Sequence, residues 1–174
     1  KEIDDVVREL KEIAKRDEDK VRRVVEDLER VAREDLRKVR EVVKELRRVV
    51  KTLLDLVRRG VDKRELKKIL EELEKRVREV HDESRRTLEE LDKKIKKVKE
   101  ESERTLREAE KRARDIEKDK RLDDVLREVA DIIRRSIRDL ERVLEEVKRI
   151  IETSNDELRK VLKEVRETIT EAER

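Results

Sequence analysis

The chain has 174 residues, of which 59% are charged, and it contains no aromatic residue, Cys, Met or Pro. Its 53 basic and 50 acidic residues are interspersed and leave a formal net charge of +3. This composition excludes a disulfide framework and offers neither a basic footprint nor stacking aromatics for nucleic acid. No apolar run approaches the roughly 20 residues that span a bilayer, so we expect a soluble chain without membrane contact.

The first predicted helix covers residues 2–59. Its apolar residues recur with a mean step of about 3.6, which is the period of a straight α-helix and not of a left-handed coiled coil. They are Val21, Val25, Leu28, Ala32, Leu36, Val39, Val43, Leu46, Val50, Leu54 and Val57. Residues 15–20 (KRDEDK) keep the apolar phase and are interpreted as helix interior.

The second predicted helix covers residues 62–117. Gly60 can adopt the left-handed conformation that ends a helix, and Asp62 with Glu65 forms a capping box for the next one. The apolar phase slips again after Ile116, where Asp119 is the expected N-cap of a third helix over 121–173. Residues 153–156 (TSND) keep the phase of that helix.

These elements predict an all-α fold: an antiparallel, nearly untwisted three-helix bundle of helices of about 55 residues, forming one domain over 1–174. The apolar pattern also repeats with an 18-residue period, which corresponds to five turns of a straight helix. For example, Val7 and Leu10 recur as Val25 and Leu28.

Polar residues interrupt the apolar stripes at matching heights. If consecutive helices run antiparallel, the interruptions fall into two layers. The first polar layer contains Asp17, Ser102, Thr105 and Ser136, and the second contains Asp35, Ser84, Thr87, Ser154 and Asn155. Thr52 and Thr168 stand level with Leu70 and form a smaller third level.

The layers favour interhelical hydrogen-bond networks that fix helix register, because buried hydroxyls and carboxylates must find partners. Rim placement, with Asp17 and Asp35 paired to neighbouring Lys or Arg, is the alternative. Catalysis is disfavoured because neither layer holds a histidine base or a backbone donor nest. His81, one turn before Ser84, is expected at a network edge and not as a pH switch. One histidine without cysteine predicts no zinc site, and we expect no cofactor.

The 18-residue repeat, the capping box at Asp62 and Glu65, the Val/Leu/Ile/Ala core and the polar layers together resemble de novo designed parametric helical bundles with built-in hydrogen-bond networks. The resemblance covers the whole chain. It implies a structural scaffold without a natural biochemical activity, whose localisation is unknown and would be cytoplasmic in an expression host.

Two functions remain open at this point, and neither is enzymatic. One is a monomeric scaffold that requires no partner. The other is an interaction module, because the outer two helices carry more apolar residues than the middle one. Their wider faces could form a groove between helices 1 and 3 that binds a designed partner helix or a second copy of the chain.

Overall fold

The computed structural model describes residues 2–116 and 119–172. Within these ranges the regular elements are three helices: α1 (Glu2–Arg58), α2 (Lys63–Arg114) and α3 (Lys120–Ala172). They pack as a three-helix bundle, which confirms the predicted fold class. The stretches 15–20 and 153–156 are helical, as expected. The predicted helix ends at 117 and 173 lie outside the described residues. The second predicted helix was nevertheless too long, because α2 ends at Arg114 and residues 115–116 are not helical. None of the described helices is long and apolar enough to cross a membrane.

The first connection follows the capping signals of the sequence. Gly60 has φ 80, the Gly60 N–H donates to the Val57 carbonyl at 3.1 Å, and the Val61 N–H donates to the Leu56 carbonyl at 3.2 Å. This pair of bonds is a Schellman motif, which only a residue tolerant of positive φ closes without strain. Asp62 then accepts the Arg64 N–H at 3.2 Å and so caps α2.

The second connection is capped in the same way. Asp119 Oδ1 accepts the Arg121 N–H at 2.8 Å, and the Asp119 carbonyl accepts the Asp123 N–H at 3.2 Å. The predicted N-cap is therefore confirmed, although α3 begins at Lys120 and not at residue 121. Because the N-cap carboxylate also meets the positive end of the helix dipole, Asp119 suits this position electrostatically.

The residues form two compact units, and every helix contributes to both. The first unit comprises residues 1–29 and 90–146, and the second comprises 30–89 and 147–174. The prediction of one domain over 1–174 stays a prediction. Aliphatic side chains from all three helices fill the core of the first unit: Val6, Leu10, Ala14, Leu106, Ala109, Leu122, Val129, Ala130, Ile133 and Ile137.

The core of the second unit is also aliphatic. It contains Val39, Val42, Val43, Leu46, Leu53, Leu66, Leu73, Val77, Leu158, Val161, Leu162, Val165 and Ile169. Leu54, which the sequence placed on the apolar track, is 50% exposed, and Leu53 is buried in its place. At about 100° per residue, Leu54 lies about 80° from Leu46 around the helix, whereas Leu53 lies within about 20°. The placement of Leu54 in the stripe was therefore wrong.

Ion pairs report the register of α1 against α2 within each unit. In the first unit the pairs are Glu9–Arg112, Lys20–Glu101 and Asp27–Lys94. In the second unit they are Lys38–Glu83 and Glu45–Arg76. The two residue numbers of every pair add to the same total, so the helices run antiparallel and their register does not drift within either unit. Exposed pairs of this kind each contribute little stability.

The third helix runs parallel to α1 and antiparallel to α2. In the first unit Arg121 of α3 pairs with Asp4 of α1 at 3.1 Å, and Lys99 of α2 pairs with Glu141 of α3 at 2.9 Å. In the second unit the matching contact between α2 and α3 is Glu74–Arg166 at 3.0 Å. These contacts fix which residues of the three helices stand at one level.

Candidate functional site

The first polar layer is built around a carboxylate on the core side of α1. Asp17 is only 6% exposed, although it belongs to a helix with a charged outer face. Ser102 of α2, which is also buried, donates its hydroxyl proton to Asp17 Oδ1 at 2.8 Å. Asp17 Oδ2 is buried and has no hydrogen-bond partner among the described residues. The carboxylate therefore has one satisfied and one unsatisfied oxygen.

The second polar layer repeats this arrangement one 18-residue period further along α1 and one period back along α2. Ser84 donates a bifurcated hydrogen bond to Asp35, at 3.1 Å to Oδ1 and 3.0 Å to Oδ2. Asp35 and Ser84 are 6% and 3% exposed. Since each layer lies inside one compact unit, the two aspartate–serine pairs form two separate and nearly equivalent sites.

Burial dominates the electrostatics of both aspartates. It raises the pKa of Asp17 above 3.8, and the hydrogen bond from Ser102 and the charge of Lys20 offset part of that rise. Burial likewise raises the pKa of Asp35, where the bond from Ser84 acts in the opposite direction, Glu83 adds to the rise and Lys38 reduces it. Both carboxylates are buried and neither forms an ion pair with a Lys or Arg among the described residues, so the alternative of rim placement with paired aspartates was wrong.

The threonines of the layers do not reach the aspartates. Thr105 donates to the Glu101 carbonyl of its own helix at 2.9 Å. Thr87 is half-buried and makes no side-chain hydrogen bond to another described residue. The threonines therefore share a layer with the aspartates in the sequence pattern without bonding them. A helical threonine can bond the carbonyl four residues back without help from a neighbouring helix, and that local bond competes with the interhelical one.

The serines that α3 contributes to the layers bond within their own helix or not at all, and the side-chain nitrogen of Asn155 also donates within α3. Ser154 and the Asn155 side-chain amide both donate to the Ile151 carbonyl, at 3.0 and 2.9 Å. Ser136 is 9% exposed and its hydroxyl bonds no other described residue. The aspartate–serine pairs thus join α1 to α2 alone, and the predicted three-helix networks are not formed.

His81 forms a part-buried hydrogen bond between α2 and α3. Its Nδ1 lies 2.6 Å from Asn155 Oδ1. Because the Asn155 amide nitrogen already donates to Ile151, its oxygen accepts here, which assigns the imidazole proton to Nδ1. His81 Nε2 is then an acceptor, buried and without a partner among the described residues. Burial lowers the pKa of His81 below 6.5, with Asn155 acting in the opposite direction and Arg159 adding to the decrease.

The predicted third level does not form a network. Thr52 is exposed and donates to the Arg48 carbonyl at 3.0 Å, while Thr168 is half-buried and donates to the Glu164 carbonyl at 2.8 Å. Each threonine thus has a partner in its own helix. The comparison of levels could not show that both hydroxyls bond the backbone of their own helix.

Two open grooves lie beside the layers. In the first unit, a groove of about 310 Å³ between α1 and α3 is lined by Val21, Val25, Ile132, Ser136 and Val143 together with charged residues. In the second unit, His81 and Asn155 line a groove of about 350 Å³ between α2 and α3. The first groove lies between the two helices for which the sequence predicted a binding groove, and its binding of a helix stays a prediction.

The chemistry available to the layers is structural. Ser84 and Ser102 are the only hydroxyls that hydrogen-bond a carboxylate among the described residues, and both are buried. Residues 2–116 and 119–172 contain no cluster of three or more His, Asp or Glu side chains that could hold a metal ion. What the pairs can do is hold two helices at one relative height.

Comparison with known proteins agrees with this picture at the level of the fold. The chain is similar to a computationally designed three-helix bundle. The alignment has a TM-score of 0.58 and 16% sequence identity, and it covers 99% of this chain and 89% of the other. No protein-family model matches the sequence, and no curated protein matches it either. An identity this low establishes a shared fold and nothing finer.

Proposed function

We propose that the chain is a designed structural scaffold in which two buried aspartate–serine pairs set the register of α1 against α2. The observation that carries this proposal is the equivalent placement of Asp17–Ser102 and Asp35–Ser84, displaced by one 18-residue period on both helices. The design origin is supported by the internal repeat, the capped helix starts and the fold shared with a designed bundle.

An apolar stripe alone specifies register weakly. Aliphatic side chains recur every three or four residues, so a helix shifted by about one turn still presents Leu, Val or Ile to its neighbour. The exposed ion pairs cannot correct this ambiguity, because each contributes only about 0.2–1 kcal/mol. A feature that distinguishes one turn from the next must therefore come from the buried surface.

The aspartates provide that feature. A shift of α2 by four residues would move Ser84 away and place Val80 or Leu88 opposite Asp35. The same shift would place Val98 or Leu106 opposite Asp17. Each carboxylate would then lose its only neutral donor inside an apolar environment, which costs several kcal/mol per buried charge. A three-residue shift would bring Thr87 and Thr105 level with the carboxylates, but it rotates α2 by about 60° from its packed face.

The spacing of the two aspartate–serine pairs is compatible with only one register of α1 against α2. A shift by one whole 18-residue period would pair Asp17 with Ser84, but the connection between α1 and α2 spans only residues 59–62 and cannot extend that far. Shifts of one turn are disfavoured by two carboxylates at once. The pairs therefore stabilise one alignment over its neighbours, and they do so at a cost in total stability because charges are buried.

The test is an apolar variant that carries Asp17→Leu, Ser102→Leu, Asp35→Leu and Ser84→Leu. All four residues are replaced together because Ser→Leu alone would leave an unpartnered carboxylate. We expect this variant to resist denaturant better than the parent while its amide NMR spectrum shows more than one set of peaks. The parent and a surface control, Lys20→Gln with Glu101→Gln, should each give one set. A single set of peaks from the apolar variant would remove the register role.

A further inference from the structure

The α1–α3 groove of the first unit leaves apolar surface without cover. Val25 on α1 and Ile132 and Val143 on α3 are half-buried, and all three line the groove. Ser136 lies between them, with no hydrogen bond to another described residue. The groove thus presents both aliphatic surface and a hydroxyl that can act as donor and acceptor.

Charged residues on the groove walls alternate in a fixed order. Glu18 precedes Arg22 on α1, whereas Arg135 precedes Asp139 on α3. Arg121 pairs with Asp4, and further along both helices residues 18–25 and 132–143 line one groove, so α1 and α3 run in the same direction. Glu18 therefore stands level with Arg135 and Arg22 with Asp139. Both walls therefore carry one acid and one base, in opposite order.

This pattern is complementary to itself. Consider a two-fold axis that lies across the groove, perpendicular to the helices and level with Ile137. This axis brings Arg135 of one copy opposite Asp139 of the other, and Ile132 of one copy beside Val143 of the other. By symmetry, each of these contacts between the two α3 helices occurs twice. On α1 the same axis places Glu18 opposite Arg22 of the second copy. Ser136 lies one residue from the axis, where two copies of one hydroxyl can bond each other.

We infer that the α1–α3 groove of the first unit is the interface of an antiparallel homodimer, with a second copy of this chain as its occupant. Charge complementarity selects this occupant, because one operation pairs these four wall charges with their opposites. In the single chain, Arg22 pairs with Glu18 at 3.4 Å and Asp139 pairs with Arg142 at 3.7 Å. Both are exposed ion pairs within one helix, so they are weak and contacts to a second copy can replace them. Arg135 has no ion-pair partner among the described residues. The interface gives Arg135 a partner.

The test is sedimentation velocity across a concentration series. The parent should pass from 21.2 kDa at low concentration to twice that mass as concentration rises. Arg135→Asp creates two acid–acid contacts across the axis and should weaken the dimer at least about tenfold. Combining Arg135→Asp with Asp139→Arg restores opposite charges and should return the dimer to within about threefold of the parent.

The outcomes are distinct. A parent that stays at 21.2 kDa up to the highest concentration overturns the inference, even if an added amphipathic helix binds the groove. A dimer that Arg135→Asp leaves unchanged also overturns it, because a different surface is then responsible. Circular dichroism of both variants separates loss of the dimer from loss of the fold, since these exposed residues should not change the helical signal.

Discussion

The two aspartate–serine pairs form an internal comparison that isolates the cost of one unsatisfied oxygen. Asp17 and Asp35 share their helix, their 6% exposure and a serine donor on α2, but only Asp17 has an oxygen without a partner. We predict that Asp17→Asn stabilises the protein at neutral pH, whereas Asp35→Asn changes stability much less. Asparagine keeps an oxygen for the serine in either case and removes the buried charge.

The expected magnitude follows from the hydrogen bonds. A buried group left unsatisfied costs about 1–3 kcal/mol, and more when it is charged. The asparagine introduced by Asp17→Asn would still leave an unpaired amide N–H, so the net gain should be about 1 kcal/mol. At position 35 the loss of a charge-assisted bifurcated bond offsets most of the gain from removing the buried charge, which leaves a change of about 0.5 kcal/mol or less. The two substitutions should therefore differ by about 1 kcal/mol.

The pH dependence gives a second criterion. Burial raises the folded-state pKa of both aspartates above 3.8, so in the window just above that value the folded state binds more protons than the unfolded state. The stability of the parent relative to the Asn variants is highest below pH 3.8, and it falls as the pH rises through the folded-state pKa. The gain from Asp17→Asn should accordingly shrink in acid and reach its plateau at neutral pH.

Guanidinium unfolding, followed by circular dichroism at neutral pH and below pH 3.8, measures the stability difference between the variants and its dependence on pH. The reasoning would be refuted if Asp35→Asn stabilised the protein as much as Asp17→Asn. It would also be refuted if the gain from Asp17→Asn were the same in acid as at neutral pH.

Three further substitutions probe other parts of the structure. The pKa of His81 is lowered in the folded state, so the unfolded state binds more protons below pH 6.5. The parent should therefore lose stability relative to His81→Gln as the pH falls from 6.5 to the folded-state pKa. Equal pH profiles of the two proteins would contradict this. Gly60→Ala should lower the free energy of unfolding by about 1 kcal/mol, because the backbone φ of 80 is strained for alanine even though no atom blocks its Cβ. An unchanged free energy of unfolding would show that this strain is absent. Asp62→Ala removes the side-chain bond to the Arg64 N–H and should cost about 1 kcal/mol in the same assay, whereas Asp55→Ala, inside α1, should cost less.

The number and extent of the helices could be predicted because their causes are local. A period of about 3.6 residues, Gly60 and the aspartate N-caps act within a few residues of the positions they determine. The sequence also placed each aspartate and its serine in one polar layer, since an antiparallel arrangement equates heights on two helices, but it did not single out the serine as the partner. Those heights required only the direction of each helix and the length of its connection.

The partners of individual polar side chains could not be predicted in the same way. Height places Thr105 beside Asp17, but its hydroxyl bonds the Glu101 carbonyl, and that outcome depends on rotamers that periodicity does not encode. Leu54 shows a related limit of periodicity. Each step of four residues rotates the predicted stripe away from the buried face of the helix, and at this point Leu53 is buried and Leu54 is exposed. The sequence placed His81 at a network edge and Asn155 in the second polar layer, but it did not pair the two residues, which bond each other.

The register claim can be tested most directly by a distance between spin labels within the first unit. The chain has no cysteine, so Lys11→Cys and Lys97→Cys provide two unique attachment sites on exposed positions. Lys97 stands level with Val24, which separates the labels by about 20 Å along the helix axes, and a one-turn shift changes that separation by about 5 Å. This axial offset makes the distance sensitive to register.

Pulsed electron paramagnetic resonance should give one narrow distance for the labelled parent and for the Lys20→Gln/Glu101→Gln control. Adding Asp17→Leu, Ser102→Leu, Asp35→Leu and Ser84→Leu should broaden the distribution or add a second distance displaced by about 5 Å or less. If the apolar variant keeps the single narrow distance of the parent, the aspartate–serine pairs do not set the register of α1 against α2.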